Sequence, residues 1–220
     1  MKKLLKLLIP NFILVKREKK WRIKEELENY TVWREKQYND WVENGKKFPI
    51  PHAVKQRFID QLQKQTGYEF FLETGTYLGE MVEAQKLIFK KIISIELGQQ
   101  LYLDAKKKFA KDKNVTLFQG DSGIVLREII EIVKEPAIFW LDGHYSEGIT
   151  AKGQKNCPII EELEAIFSGK RFKHILLIDD AACYTGEDDY PTIDEIKEYL
   201  SSKTSNYSLK EVDNVIVIEL

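Results

Sequence analysis

The sequence predicts an α/β fold: a doubly wound, Rossmann-like sheet of seven strands, five parallel units and a C-terminal antiparallel hairpin, preceded by an N-terminal helical extension. Three observations lead there. From about residue 51 onward, short apolar runs alternate with longer amphipathic segments, the rhythm of strands and crossover helices in a parallel sheet. Near the end that rhythm stops, and two apolar runs, 207–212 and 215–220, follow each other across Asp213-Asn214, a turn pair suited to a hairpin. Before residue 51 the composition is different again, dense in Lys, Arg and Glu, with Trp21, Tyr30, Trp33 and Trp41 recurring at about helical intervals.

The helical extension comes first. Residues 16–44 read as one or two amphipathic helices whose aromatic stripe serves packing. Phe48-Pro49-Ile50-Pro51 ends the pattern, because two prolines this close prevent a helix from continuing. The domain boundary is placed there, giving an extension over 1–50 and a main domain over 51–220. In the main domain, strands are expected at 70–72, 92–95, 115–118, 137–141 and 175–178, with helices over 80–89, 99–110, 124–133, 159–167 and 193–200 between and after them. Crossovers of that length cover both faces of a parallel sheet.

At 220 residues the chain has room for one hydrophobic core and an appendage. Cys157 and Cys183 lie apart and lack the paired spacing of zinc or redox motifs, which suits a reducing, cytoplasmic setting. The formal net charge of -1 conceals an asymmetry: residues 1–24 hold nine Lys or Arg against Glu18 alone, +8, which leaves -9 for the remainder. An acidic body repels phosphates, so a nucleic-acid partner is not expected.

The apolar stretch in 1–15 is interrupted by Lys6 and Pro10, has no small-residue cleavage site after it and is too short to span a bilayer. It is read as neither exported nor transmembrane. It is read first as a helix packed on its own domain or on a second subunit of a homodimer; the alternative is a peripheral contact of its basic and apolar residues with the anionic inner face of a membrane.

The most informative stretch is Phe70-Phe71-Leu72-Glu73-Thr74-Gly75-Thr76-Tyr77-Leu78-Gly79, a strand entering a glycine-bearing turn that opens a helix. Glycines let main chain approach a ligand at the carboxyl ends of the strands. Both the dinucleotide pattern and the P-loop Lys-Ser/Thr pair are absent, which disfavours a pyrophosphate. The second strand ends in Glu96, an acid placed to accept from ribose hydroxyls, and the third is followed by Gly120-Asp121-Ser122.

These residues resemble the class I S-adenosylmethionine-dependent methyltransferases, in which an acid at the end of the first strand precedes spaced glycines. The resemblance covers roughly 69–220. It implies that Glu73, Thr74, Gly75, Thr76 and Gly79 serve the amino-acid moiety of S-adenosyl-L-methionine. It further implies that Glu96 serves the ribose, Asp121 and Ser122 the adenine, and Asp142 the methyl side.

The fourth strand delivers Asp142-Gly143-His144-Tyr145 and the fifth Asp179-Asp180. Neighbouring strand tips bring such residues together, and three gathered carboxylates repel unless protonated or neutralised by a cation. Oxygen-only ligation suits Mg²⁺ or another hard divalent ion. The arrangement is similar to the metal-dependent macrocin and sugar O-methyltransferases, in which such aspartates hold Mg²⁺ and an acid two positions after the first acts as base.

Here that position is His144, whose imidazole titrates near neutrality and can take a hydroxyl proton. His144 and Asp142 are therefore the expected catalytic pair, and Asp142, Asp179 and Asp180 the expected metal ligands. The irregular segment 145–156 is assigned to a small-molecule or glycan acceptor, through Tyr145, Thr150 and Lys152, and 185–191 is a second loop able to help close the site. His52 and His174 are read as structural.

The function expected is O-methylation of a sugar or glycan-related hydroxyl. The alternative is a non-catalytic cofactor-binding or scaffold protein that docks on a membrane or a glycan-assembly complex. The acidic body and the lack of a D/N-P-P-Y/F tetrapeptide after the fourth strand disfavour base N-methylation.

Overall fold

A computed structural model describes residues 11–143 and 156–220. The chain divides into two compact units, residues 1–61 and 62–220.

In the first unit, a single helix, α1 (Asn11–Glu43), covers the stretch expected to hold one or two helices. Its aromatics do not all pack: Trp41 is buried, but Trp21 is 64% and Trp33 47% exposed. Charged residues surround the whole circumference, so α1 has no continuous apolar stripe to fix every ring inward. Trp41 is seated by its indole N–H, which donates to the Lys47 carbonyl at 2.8 Å. After the proline break, α2 runs over His52–Thr66. Arg34, buried on α1, forms an ion pair with Asp60 of α2 and donates through Nε to Gln56 Oε1 at 3.1 Å. The Arg57 guanidinium lies 3.9 Å from the centre of the Tyr38 ring, a cation–π contact. Among the described residues no helix is long and apolar enough to cross a membrane.

The second unit is built on a seven-stranded sheet. Its elements run β1 (Phe70–Thr74), α3 (Glu80–Gln85), β2 (Lys91–Glu96), α4 (Gln99–Lys108), β3 (Val115–Gln119), α5 (Ser122–Ile129), β4 (Ala137–Leu141), α6 (Ile159–Ser168), β5 (Ile175–Ile178), α7 (Ile193–Lys203), β6 (Ser208–Val212) and β7 (Val215–Glu219). The spatial order is β3-β2-β1-β4-β5-β7-β6. Strands β1 to β5 are parallel, while β7 pairs antiparallel with both β5 and β6. The doubly wound sheet with its closing hairpin is thus the one expected from the sequence.

The chemistry of each strand explains its place. β4 and β5 are apolar throughout and β1 over its first three residues, and all three are wholly buried, as central strands covered on both faces must be. β6 is largely polar and exposed and sits at the edge. The β6–β7 turn needs two left-handed residues, and Asp213 and Asn214 supply them at φ 47° and 60°.

One face of the sheet packs Phe70, Leu72, Ile93, Phe139 and Leu176 against Leu126 of α5, Leu163 and Ile166 of α6 and Ile196 and Leu200 of α7. α7 starts at a reciprocal capping box, in which Thr192 accepts from the Glu195 N–H and Glu195 accepts from the Thr192 N–H. α3 is shorter than expected, ending at Gln85, because the Asn114 side-chain amide donates to the carbonyls of both Lys86 and Phe89 and fixes a non-helical turn there. His174 is buried before β5, where its Nδ1 accepts from the Ala137 N–H at 3.2 Å.

Candidate functional site

The carboxyl ends of β1, β2, β4 and β5 hold the site. Glu73 and Thr74 end β1, in register with Trp140 and Leu141 of β4. Gly75 follows in the left-handed region, φ 82°, with its N–H donating to the Ile95 carbonyl at 2.9 Å. A Cβ on Gly75 would collide with the main-chain carbonyl of Asp142. Glycine is required here both by the backbone angle and by this close approach. The β1 loop and the β4 tip therefore touch main chain to main chain, and Asp142 returns its N–H to the Thr74 carbonyl at 3.3 Å and the Thr74 hydroxyl at 3.1 Å.

Glu73 is buried and accepts from the Ser94 hydroxyl at 2.6 Å, and Ser94 in turn lies 2.5 Å from the Thr76 hydroxyl. Burial pushes the Glu73 carboxyl up to about 8, against the pull of the Ser94 hydrogen bond, and the neighbouring Glu96 charge adds to the rise. Glu96 closes the loop from the other side, accepting from the Tyr77 N–H and the Gly98 N–H, each at 2.7 Å. Its carboxyl is raised by burial, which backbone donors from Gly98, Tyr77, Leu97 and Thr76 partly offset. Each carboxylate oxygen carries a second lone pair, so these bonds leave Glu96 able to accept from a diol. Gly79 stands at the start of α3 with φ 71°, against the Phe109 ring.

Asp121 caps α5 by accepting from the Gly123 N–H at 3.0 Å, and Ser122 beside it is buried. Asp142 and Asp179 stand at adjacent strand tips, one residue beyond the paired Leu141 and Ile178. Asp179 is buried, with Oδ1 accepting from the Asp180 N–H at 2.9 Å. Asp180 turns away into a left-handed conformation, φ 52°, and accepts from the Asn214 side-chain amide at 3.3 Å.

Among the described residues no group of three His, Cys, Asp or Glu is placed to hold a metal ion. The Asp142, Asp179 and Asp180 set expected to bind Mg²⁺ is not among such groups: Asp179 accepts from the Asp180 N–H and Asp180 from the Asn214 amide. The described residues do not fit the ion. His144, Tyr145, Thr150 and Lys152 fall in 144–155, outside the described residues.

The second loop is tied to the end of that segment: the Asn156 N–H donates to Asp189 Oδ2 and its side-chain amide to the Asp188 carbonyl, both at 3.3 Å. Tyr190, next in that loop, meets Tyr184 edge to face at 5.5 Å between ring centres. Burial raises the Tyr190 hydroxyl, and the charges of Cys157, Cys183, Asp180 and Asp142 add to this.

Two buried groups were missed by reasoning from the sequence. Ser94 is a lone hydroxyl in the apolar run Ile92-Ile93-Ser94-Ile95, and that interruption was its signal. Glu162, on α6, is 1% exposed, and the period of Ile159, Leu163 and Ile166 places it on the buried face. Burial lifts its carboxyl to about 7; the nearby Ser122 and Thr74 hydroxyls oppose this, and the charges of Asp121 and Glu161 add to it.

No protein-family description and no curated protein matches the sequence. Solved structures do match in fold. An O-methyltransferase from Bacillus cereus in complex with SAH superposes with a TM-score of 0.59 at 13% identity, over 85% of this chain and 90% of that one. The O-methyltransferase TomG from Streptomyces achromogenes, involved in tomaymycin synthesis and solved with SAM, gives 0.57 at 13% identity over 88% of each chain. The SAH-bound methyltransferase PaMTH1 from Podospora anserina gives 0.51 at 14% identity, over 96% and 97%. Together with the strand order, these similarities define the class: the chain has the Rossmann-like methyltransferase fold, a mixed seven-stranded sheet closed by an antiparallel hairpin.

Proposed function

We propose that this chain is an S-adenosylmethionine-dependent O-methyltransferase whose acceptor is a hydroxyl of a sugar or a glycan-related molecule. One observation carries the reading: Gly75 packs on the Asp142 carbonyl, which joins the glycine loop and the fourth strand tip into one surface at the carboxyl edge of the sheet. Ligands of open α/β sheets bind at that edge. The methyltransferase and O-methyltransferase names of the matched structures, two of them holding SAH and one SAM, support the cofactor and the oxygen acceptor.

In the reaction, the acceptor oxygen attacks the sulfonium methyl in line. The C–O bond forms as the C–S bond breaks, S-adenosylhomocysteine leaves uncharged, and the hydroxyl proton passes to a base. His144 is the residue proposed for that base. Holding the oxygen at near-attack distance supplies much of the rate. The acid-lined edge, with Glu96 and Asp142, favours a cationic donor. The sugar class is supported by the hydroxyl-accepting acids of the strand edge and by the aromatic pair Tyr184 and Tyr190.

The test is transfer of labelled methyl from S-adenosylmethionine to a panel of nucleotide sugars and glycans, run with EDTA and with added Mg²⁺. Transfer to a sugar hydroxyl supports the reading, and no uptake of donor by calorimetry removes it. Divalent-ion assistance is the finer part of the expectation. Transfer that is lost in EDTA and restored by Mg²⁺ would bring the ion into the mechanism, and transfer indifferent to both would leave it out.

A further inference from the structure

Glu162 is an anomaly on α6. Its helical neighbours on the buried face, Ile159, Leu163 and Ile166, are apolar, and an apolar side chain there would bury at no polar cost. The residue is nevertheless a carboxylic acid, and its Oε1 is buried with no hydrogen-bond partner. An unsatisfied buried oxygen of this kind requires a reason.

The surroundings supply one. Gly143, the residue after Asp142, has three oxygens around the place where a Cβ would stand: Glu162 Oε1 at 2.8 Å, Ser122 Oγ at 2.8 Å and Thr74 Oγ1 at 3.3 Å. Each belongs to a different part of the sheet edge. Ser122 opens α5 after β3, Thr74 ends β1, and Gly143 continues from β4. Thr74 Oγ1 already accepts from the Asp142 N–H, so its own proton is left to be donated elsewhere. Glu162 Oε1, itself without a partner, is an open acceptor gathered with the Thr74 and Ser122 hydroxyls at the turn that carries Asp142.

We propose that Glu162 is a positioning residue of the cofactor site, whose carboxyl ties the Ser122 and Thr74 hydroxyls beneath Gly143 so that the adenine-side and methyl-side turns form one rigid surface. The inference rests on the cofactor reading given above. Glu162 itself touches no reacting atom. It acts through Ser122, Thr74 and Gly143, and its loss loosens the surface on which the nucleoside lies.

The test uses the full-length chain and S-adenosylhomocysteine, with calorimetric affinity as readout and a melting curve for each variant. Glu162→Leu fills the same space without an oxygen, and Glu162→Gln keeps an oxygen at the same reach. Glu162→Leu is expected to weaken S-adenosylhomocysteine about tenfold, the loss that follows from unpairing buried hydroxyls. Glu162→Gln is expected to restore affinity to within about threefold of the parent. In turnover, the leucine variant raises KM for the donor more than it lowers kcat.

A purely structural role would lower the melting temperature and leave affinity untouched. Should Glu162→Leu fail to melt cooperatively, Glu162→Ala, which admits water in place of the carboxyl, takes its part with the same expectation. A folded leucine or alanine variant that binds S-adenosylhomocysteine as the parent does overturns the proposal. A parent chain that binds none overturns it together with the functional reading, so the two failures are told apart by the parent alone.

Discussion

Ser94 on β2 donates its hydroxyl across the parallel pair to Glu73 on β1, at 2.6 Å, inside the sheet and away from water. One neutral hydroxyl does not replace the hydration of a carboxylate, so Glu73 is held protonated up to about pH 8. An unfolded glutamate releases its proton near 4.5. Between those values the unfolded chain binds fewer protons than the folded one, and stability falls as pH rises from about 4.5 toward about 8. Glu73→Gln is expected to remove this decline. Its melting temperature at pH 8 should exceed the parent's, with the gap closing at pH 5, at roughly 2–4 °C for each kcal/mol. A parallel pair of melting curves over pH 4.5–8.5 checks it.

His174 produces the opposite limb. Burial lowers its imidazole from 6.5 to about 4, while hydrogen bonds with the Lys170 and Ala137 backbone pull back. The folded chain keeps it neutral where the unfolded chain protonates it, so the stability present above pH 6.5 is lost as pH falls through about 4. His174→Asn retains an acceptor for the Ala137 N–H and is expected to flatten the acid side of the melting profile. A profile as steep as the parent's would assign the acid limb to other groups.

Gly75→Ala meets two penalties, a left-handed backbone and the Asp142 carbonyl. Strain of about 1–3 kcal/mol is expected from the backbone angle alone. The collision pushes the β1 loop off the β4 tip, so affinity for S-adenosylhomocysteine should fall by more than about tenfold even where the variant stays folded. Calorimetry at a temperature well below melting separates the two losses.

The first unit offers an independent test. Arg34→Met leaves Asp60 buried without its guanidinium, a change expected to cost about 3–5 kcal/mol. Converting both partners, Arg34→Met with Asp60→Leu, should recover most of that loss, because a buried ion pair replaced by apolar side chains is often nearly neutral. Urea unfolding of the single and double variants, compared as a cycle, measures it.

The sheet was legible because its signals are local. Apolar runs such as Ala137–Leu141 and the paired turn residues Asp213 and Asn214 state their conformations within a few positions. The loop glycines were legible for the same reason. What escaped depends on partners far apart in the chain. Asp180 is drawn aside by Asn214, 34 positions later, and no spacing rule foretells that. Glu162 is one of two acids in the first turn of α6, and only the packing of that helix puts it beside Gly143. On α1, regular aromatic spacing suggested a packed stripe, but Trp21 and Trp33 face solvent because the charges between them leave no apolar side to bury.

Where Gly75 meets the Asp142 main-chain carbonyl, the contact is between neutral peptide groups and collects no counterions. Added salt should therefore leave that joint as tight as before and act only on the attraction between the acid-lined edge and a positively charged sulfur. S-adenosylmethionine, with its sulfonium, should lose affinity more steeply with ionic strength than S-adenosylhomocysteine, whose thioether is neutral. Between the two ligands, then, potassium chloride becomes a ruler for how much of donor selection is electrostatic and how much is shape.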